Sequence, residues 1–442
     1  MSKVIKGLAI FCQNLLATGF ILVALDVSAN AQPLSELAPS LLKKDELINA
    51  ARADMIAARE RTRVALGGWF PQLNIDAHYG YEQKNKSGGD TRAPTRQLDI
   101  SVTQLLWDFG ATNAQVRTSS LTLDQANSNL SAAIQNRLLQ SVTAYLNMIR
   151  TYDVFSFSKK SEGNIKKQTE LEDALVKRGA GLSTDVLQAK VQFAGAQARR
   201  VRANGDLKVA RNAYREVFEK EPPAYVRLIQ PAFPAALLPT QINEAITVAI
   251  ENNPQLLAAH FASLIAKEDV NLTRANEFFP RFQAVLQSKL AKDAGGVLGG
   301  EQDFLSMVQF IYPFNLGFTA VNSLRASRQG ASSATARFVD TKGKVEQQAR
   351  DAWDNLNTSR ENAKLLRNQA NIAAEFLTLA RKERKLGKRS LLDLLSGETN
   401  LVNAESDAAS AERDVDIAAF TLLAVMGKLD AETIMRPAAP AQ

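Results

Sequence analysis

The side chains that could do chemistry in this chain are few, and their spacing does not suit catalysis. Its two histidines, His78 and His260, have no ligand-spaced companions, and its single cysteine is Cys12. No phosphate loop, Gly-x-Ser-x-Gly turn or zinc spacing occurs. No catalytic residue, metal site or cofactor is therefore expected. The charges that stand out lie beside two short turns, Lys177-Arg178-Gly179 and Lys385-Leu386-Gly387. Six residues after each glycine comes an acid with two apolar neighbours, Asp185-Val186-Leu187 and Asp393-Leu394-Leu395. Lys382, Arg384, Lys388 and Arg389 crowd the second turn. The chemistry on offer is electrostatic, namely attraction of cations or of a charged partner. The plainer alternatives are helix-start acids favoured by the macrodipole and an ordinary solvated charge run.

The elements that position these charges are duplicated. The two turns are about 208 residues apart, and the same heptad follows each. In the second copy small and apolar residues fall at Leu394, Gly397, Leu401, Ala404, Ala408, Ala411, Val415, Ala418, Leu422 and Val425. The first copy reads Val186, Ala189, Phe193, Ala196, Arg200, Ala203, Leu207, Ala210, Tyr214 and Val217, with Arg200 as the exception. Such 3-4 spacing lays one apolar seam along a helix and predicts a left-handed supercoil with a neighbour. Ahead of each turn lies a long proline-free segment, about Ala111 to Lys177 and about Phe318 to Leu386. At 1.5 Å per residue each reaches roughly 100 Å. A duplicated rod is expected, not a compact catalytic domain.

Before each rod the period changes from 3.6 to 2. Leu73, Ile75, Ala77, Tyr79 and Tyr81 alternate with polar residues, and so do Leu98, Ile100 and Val102. Strands are predicted at about 72–83 and 97–106, joined by a loop over Lys84 to Arg96. The second half repeats this less cleanly at about 281–291 and 303–312. One face toward lipid and one toward water explains the alternation. Aromatics gather at the junctions of strand and helix: Trp69 and Phe70, Trp107 and Phe109, Phe278 and Phe279, Tyr312 and Phe314. They suggest an interfacial girdle, with a core beneath a small sheet as the alternative. A closed barrel needs about eight or more strands, and an open edge in lipid is not allowed. Four strands per chain therefore require several copies, and pattern alone leaves the number open.

The ends bound the compartment. Lys3 and Lys6, an apolar stretch from about Leu8 to Leu25, and Ala29-Asn30-Ala31 read as a signal peptide over 1–31, with a signal anchor as the competitor. Cys12 would leave with it, so no disulfide framework is expected. The net charge of +7 reads as solvated surface in an exported chain. The predicted layout is repeat 1 over 32–221, a Pro-rich linker over 222–240, repeat 2 over 241–430 and a flexible tail over 431–442.

Together, the duplicated halves, paired strands, long helical hairpins and Gly-x5-Asp-[Val/Leu]-Leu turns resemble the TolC family of outer-membrane channel proteins across essentially the whole mature chain. The resemblance implies an α+β membrane protein: a homotrimer whose four strands per chain form a twelve-stranded barrel in the Gram-negative outer membrane. A long α-helical barrel would continue it through the periplasm. It further implies a periplasmic adaptor (membrane fusion protein) and an inner-membrane ABC or proton-driven pump as partners. The stretch Arg384 to Glu405 is more similar to channels for type I secretion of large adhesins than to drug-efflux channels. Multidrug efflux is the alternative, and a periplasmic coiled-coil adaptor is the rival outside the channel class.

Carried over position by position, the resemblance places Asp393 at an acidic ring of the periplasmic gate. Ser396 stands where a second acid is usual. Arg389 matches a position that ties neighbouring coils, Thr184 and Asp185 match its partners, and Arg384 replaces a common Tyr, so an ionic contact to Asp185 is expected. Lys177, Arg178, Gly179, Lys385, Gly387 and Lys388 would face the adaptor.

Overall fold

The computed structural model describes residues 34–435 apart from 86, 88, 181, 223–227 and 315. The signal peptide assigned to 1–31 and the last seven residues of the tail lie outside the described residues. The duplication is visible element by element. The first half runs α1 (Leu34–Lys44), α2 (Glu46–Gly67), β1 (Gln72–Lys84), β2 (Thr91–Trp107), α3 (Ala111–Lys177) and α4 (Ser183–Phe218). The second repeats it as α5 (Ile242–Asn252), α6 (Pro254–Phe278), β3 (Arg281–Lys292), β4 (Gly300–Ile311), α7 (Thr319–Lys385) and α8 (Leu391–Val425), followed by α9 (Ala431–Met435). No helix among the described residues is long and apolar enough to cross a membrane.

The rods α3 and α7 are 67 residues each, so they span about 100 Å. At the foot of α3 the buried Asp108 accepts hydrogen bonds from the N–H groups of Gly110 (3.0 Å) and Thr112 (2.6 Å), which satisfies donors that a helix start leaves open. Each rod folds back along a shorter partner, α3 with α4 and α7 with α8. The seams of α4 and α8 are buried as their heptads predict, from Val186 to Val217 and from Leu394 to Leu422. Arg200, the exception on α4, is paired with Glu162 of α3, so a charged seam position has its counter-charge across the hairpin.

Midway along the rods both halves share one core. Leu37 of α1, Leu138, Val142 and Tyr145 of α3, Tyr214 of α4 and Phe420 of α8 are buried together there. The Pro-rich linker is pinned across this region. The Tyr145 hydroxyl donates to the Ile229 carbonyl (2.9 Å) and accepts from the Ile229 N–H (3.0 Å), while Gln230 donates to Asp416 (2.8 Å). A flexible tail is expected from 431, but residues 431–435 form α9: Asp430 caps it by accepting from the Thr433 N–H (2.7 Å), and Ile434 is buried in the shared core. That core contact holds the five residues in place.

The four strands form one antiparallel sheet in the order β1-β2-β3-β4, so β1 and β4 are its edges. Cross-strand partners share a face. Leu73, Ile75 and Ala77 lie opposite Val102, Ile100 and Leu98, which continue to Leu286, Ser288 and Leu290. Phe282 and Ala284 meet Phe310 and Val308. One apolar face thus runs through all four strands, and its large side chains are exposed, Ile75 at 61% and Val308 at 69%. The expected loop over Lys84 to Arg96 shrinks, because β2 starts at Thr91. Pro94 disguised this stretch as loop. It is accommodated because β3 pairs with β2 only as far as Arg96, so Pro94 needs no donor on that side.

Candidate functional site: the hairpin tips

Both rods end in the same turn. Gly179 donates to the Val176 carbonyl (2.9 Å) and Ala180 to Leu175 (3.0 Å); Gly387 donates to Arg384 (2.9 Å) and Lys388 to Glu383 (2.9 Å). These are Schellman caps, and they need the positive φ of the two glycines, 75° and 72°. The α8 start is capped further: the Ser390 hydroxyl accepts from the Asp393 N–H (3.1 Å). Asp393 is exposed on this first turn, with Ser396 half-buried three residues on and on the same side of the helix. At α4 the counterpart Asp185 is half-buried and Thr184 is exposed.

Two arginines near the end of α7 join the hairpins. Arg384 Nη2 lies 2.5 Å from Glu172 of α3, and its Nη1 donates to the Arg389 carbonyl (3.2 Å). The expected ionic partner, Asp185, is not the one taken within the chain: Glu172 is nearer and is buried. Arg389 bonds Glu383 (2.6 Å) inside its own hairpin and lies 5.0 Å over the Phe376 ring, so within one chain it does not meet Thr184 or Asp185. Arg381 pairs with Glu398 of α8, whose other oxygen accepts from Asn164 of α3 (3.2 Å). Glu172 and Glu398 are each 4% exposed. A buried carboxylate held by an arginine is costly to strip of that partner.

Sequence reasoning missed both acids. The signal was present: Ser158, Ser161, Ile165, Thr169 and Glu172 are buried at 3-4 spacing, so Glu172 is a charge in a seam, and Leu391, Leu395, Glu398 and Val402 repeat the arrangement. Beside Glu398, a polar groove of about 260 Å3 lies between α3, α7 and α8, lined by Lys160, Asn164, Lys167, Arg381 and Glu405. Burial raises the Glu405 carboxyl above its ordinary range.

The basic tips are open to solvent. Lys177, Arg178, Lys385 and Lys388 are exposed, and Leu182 and Leu386 beside them are exposed too. Lys177 bonds Asp173 (2.6 Å), which holds that carboxyl below the usual range and lifts the ammonium above its own.

At the other end of the rods, Trp107 meets Phe109 edge-on at 6.1 Å, and Phe109 stacks on Phe279 at 5.0 Å, joining the two halves. Tyr312 and Phe314 are exposed neighbours at 6.3 Å, Phe70 is exposed, and Trp69 and Phe278 are half-buried. His260 packs on Phe338 at 5.2 Å, a packing role, and His78 stands on the polar face of β1.

The sequence model of the outer membrane efflux protein family matches residues 37–217 and 245–428, one segment in each half. The outer membrane efflux protein BepC of Brucella suis is 26% identical over 96% of this chain and 92% of its own length. The alkaline protease secretion protein AprF of Pseudomonas aeruginosa is 22% identical, covering 88% of this chain and 83% of its own. A solved membrane protein from Pseudomonas aeruginosa shares the fold with a TM-score of 0.79, at 20% identity over 89% of this chain and 93% of that one. The periplasmic-adaptor alternative falls with these matches. The chain belongs to the outer membrane efflux protein family, whose members are outer-membrane channels and not enzymes.

Proposed function

We propose that this chain is the outer-membrane exit duct of a tripartite export machine, and that its cargo is a large protein secreted by a type I route. The observation that carries the duct is the sheet, which has an apolar face through all four strands and unpaired edges at β1 and β4. In hydrocarbon each unsatisfied backbone group costs several kcal/mol, so the edges must pair with other copies. Three chains placed β4 to β1 give a twelve-stranded barrel lined by the polar face. The hairpins of the three then close a tunnel whose narrow end is the ring of tips.

In this arrangement three Asp393 carboxylates meet at the tip, where like charges attract cations. Arg384 and Arg389 hold the hairpins in the resting arrangement. The exposed basic and apolar residues of the tips are the surface for a periplasmic adaptor, which joins the duct to an inner-membrane pump. Secretion is supported by the tip stretch from Arg384 to Glu405 and by the similarity to a protease secretion protein. A second reading, small-molecule efflux, is favoured by the similarity to BepC.

Proteomics of the culture medium and shed cell surface, comparing a strain that lacks this chain with its parent, tests the cargo. Loss of one or a few very large proteins is the expected result. An unchanged profile would replace secretion with efflux, and lowered tolerance of toxic compounds would then be the expected phenotype.

A further inference from the structure

The charges of the sheet are sorted by sign and by face. The polar face carries both signs: Asp76, Asp99, Glu301 and Asp303 with Arg281 and Lys289. Alternation and register place no acid at all on the apolar face. Among the described residues its only charges are Arg92, Arg96 and Lys292, and all three lie at the hairpin-loop end, beyond the row Ala77, Leu98 and Leu290.

The placement of these cations is unfavourable on its own. Arg96 and Lys292 are direct cross-strand partners, and like charges so placed repel. Among the described residues neither they nor Arg92 form an ion pair, and all three are exposed. Arg96 lies 5.7 Å over the ring of Tyr79, its partner on β1. An open concavity of about 630 Å3 is lined by Arg96, Lys292 and Tyr79, by Leu98 and Leu290 two residues further along their strands, and by Glu301 and Gln302 of β4. An anion between Arg96 and Lys292 would turn the repulsion into two charge-assisted hydrogen bonds. The apolar wall beneath fits hydrocarbon and gives a free anion nothing.

We propose that Arg92, Arg96 and Lys292, with Tyr79, bind the phosphorylated sugar headgroup of the glycolipid that forms the outer leaflet of a Gram-negative outer membrane. The inference rests on the outer-membrane reading above. The strand ends opposite the loops run into α2, α3, α6 and α7, so the loops face outward and the basic row meets the outer headgroups. The acyl chains of the bound lipid would lie along Leu98 and Leu290, where the apolar face continues down the barrel wall.

The test uses the full chain purified from outer membranes, titrated in detergent with a diphosphorylated disaccharide glycolipid, its dephosphorylated form and inorganic phosphate. The wild type is expected to bind the diphosphorylated lipid at least about tenfold more tightly than the dephosphorylated one. Combining Arg92→Gln, Arg96→Gln and Lys292→Gln should abolish that preference. Arg96→Lys with Lys292→Arg should retain it, which separates loss of charge from misfolding. Equal affinity of the wild type for both lipids, or an undiminished preference in the triple variant, would overturn the site. Displacement of the lipid by equimolar inorganic phosphate would overturn the assignment to lipid. Membrane fractionation of the same strains separates the two levels: a wild-type chain absent from the outer membrane would overturn the underlying reading, whereas correct location with no lipid preference overturns only the site.

Discussion

At the residue scale the tips depend on carboxylates whose environments differ sharply. Asp393 is exposed, whereas Glu172 and Glu398 are buried and paired with arginines. Asp393→Asn should abolish block of the open channel by multivalent cations in single-channel recording; block of equal strength would remove Asp393 from the gate. Arg384→Ser strands Glu172 without its partner, at a cost of about 2 kcal/mol given that the arginine is partly exposed. The resting conductance should rise, and adding Glu172→Gln should recover part of the lost stability. An unaltered closed conductance would count against a lock at this pair.

A third acid gives a pH signature. Burial raises Asp416 from 3.8 to about 6, while Arg413 and the Gln230 hydrogen bond oppose the rise and Glu412 adds to it. Because the folded value lies above the unfolded one, the folded state favours the protonated acid. Stability is therefore highest below about pH 4 with respect to this group and falls as the pH rises through about 6. Asp416→Asn, which keeps a polar group beside Gln230, should raise the melting temperature at pH 7.5 and have little effect near pH 4. Equal effects at the two pH values would show that the group does not titrate as placed. Of these residues, Asp393 stood out by its spacing to the glycine turn, and Arg384 and Arg389 were singled out by the family resemblance. Their intrachain partners were not, since an arginine can reach any acid within a turn or two on a neighbouring helix and sequence does not say which hairpins touch.

At the element scale the sequence was most explicit where one period persisted. The rods were readable to within about a residue, Ala111 to Lys177 for α3 and Phe318 to Leu386 against Thr319 to Lys385 for α7, because no proline interrupts them and a Schellman glycine ends them. The strand ends were harder: Thr91 to Arg96 belongs to β2, yet Pro94 and two arginines resemble a loop, and only the early end of β3 explains why proline is tolerated. The core contact that folds α9 is equally invisible locally, since it joins Ile434 to residues hundreds of positions away. One joint is especially exacting. Gly427, at the end of α8, has φ of 70°, and a Cβ there would come within 2.2 Å of the Asn252 carbonyl oxygen. Gly427→Ala should cost on the order of 2 kcal/mol or more. Its melting temperature should drop clearly, and a wild-type value would mean that α5 and α8 do not abut as tightly as they do here.

At the scale of the whole molecule, the single chain is incomplete. Large apolar side chains cover one face of the sheet, both sheet edges are open, and the tips carry charge that no element of the same chain covers. In the proposed assembly neighbouring copies pair the sheet edges, lipid covers the apolar face and the adaptor covers the tips. The four-strand count implied several copies from the sequence, because a barrel of four strands cannot close. The most direct measurement is the mass of the particle extracted from outer membranes in detergent, by native mass spectrometry, together with its conductance in a planar bilayer. Three chains per particle and an ion-conducting pore are the expected result. A monomer that remains in the membrane without conducting would contradict it.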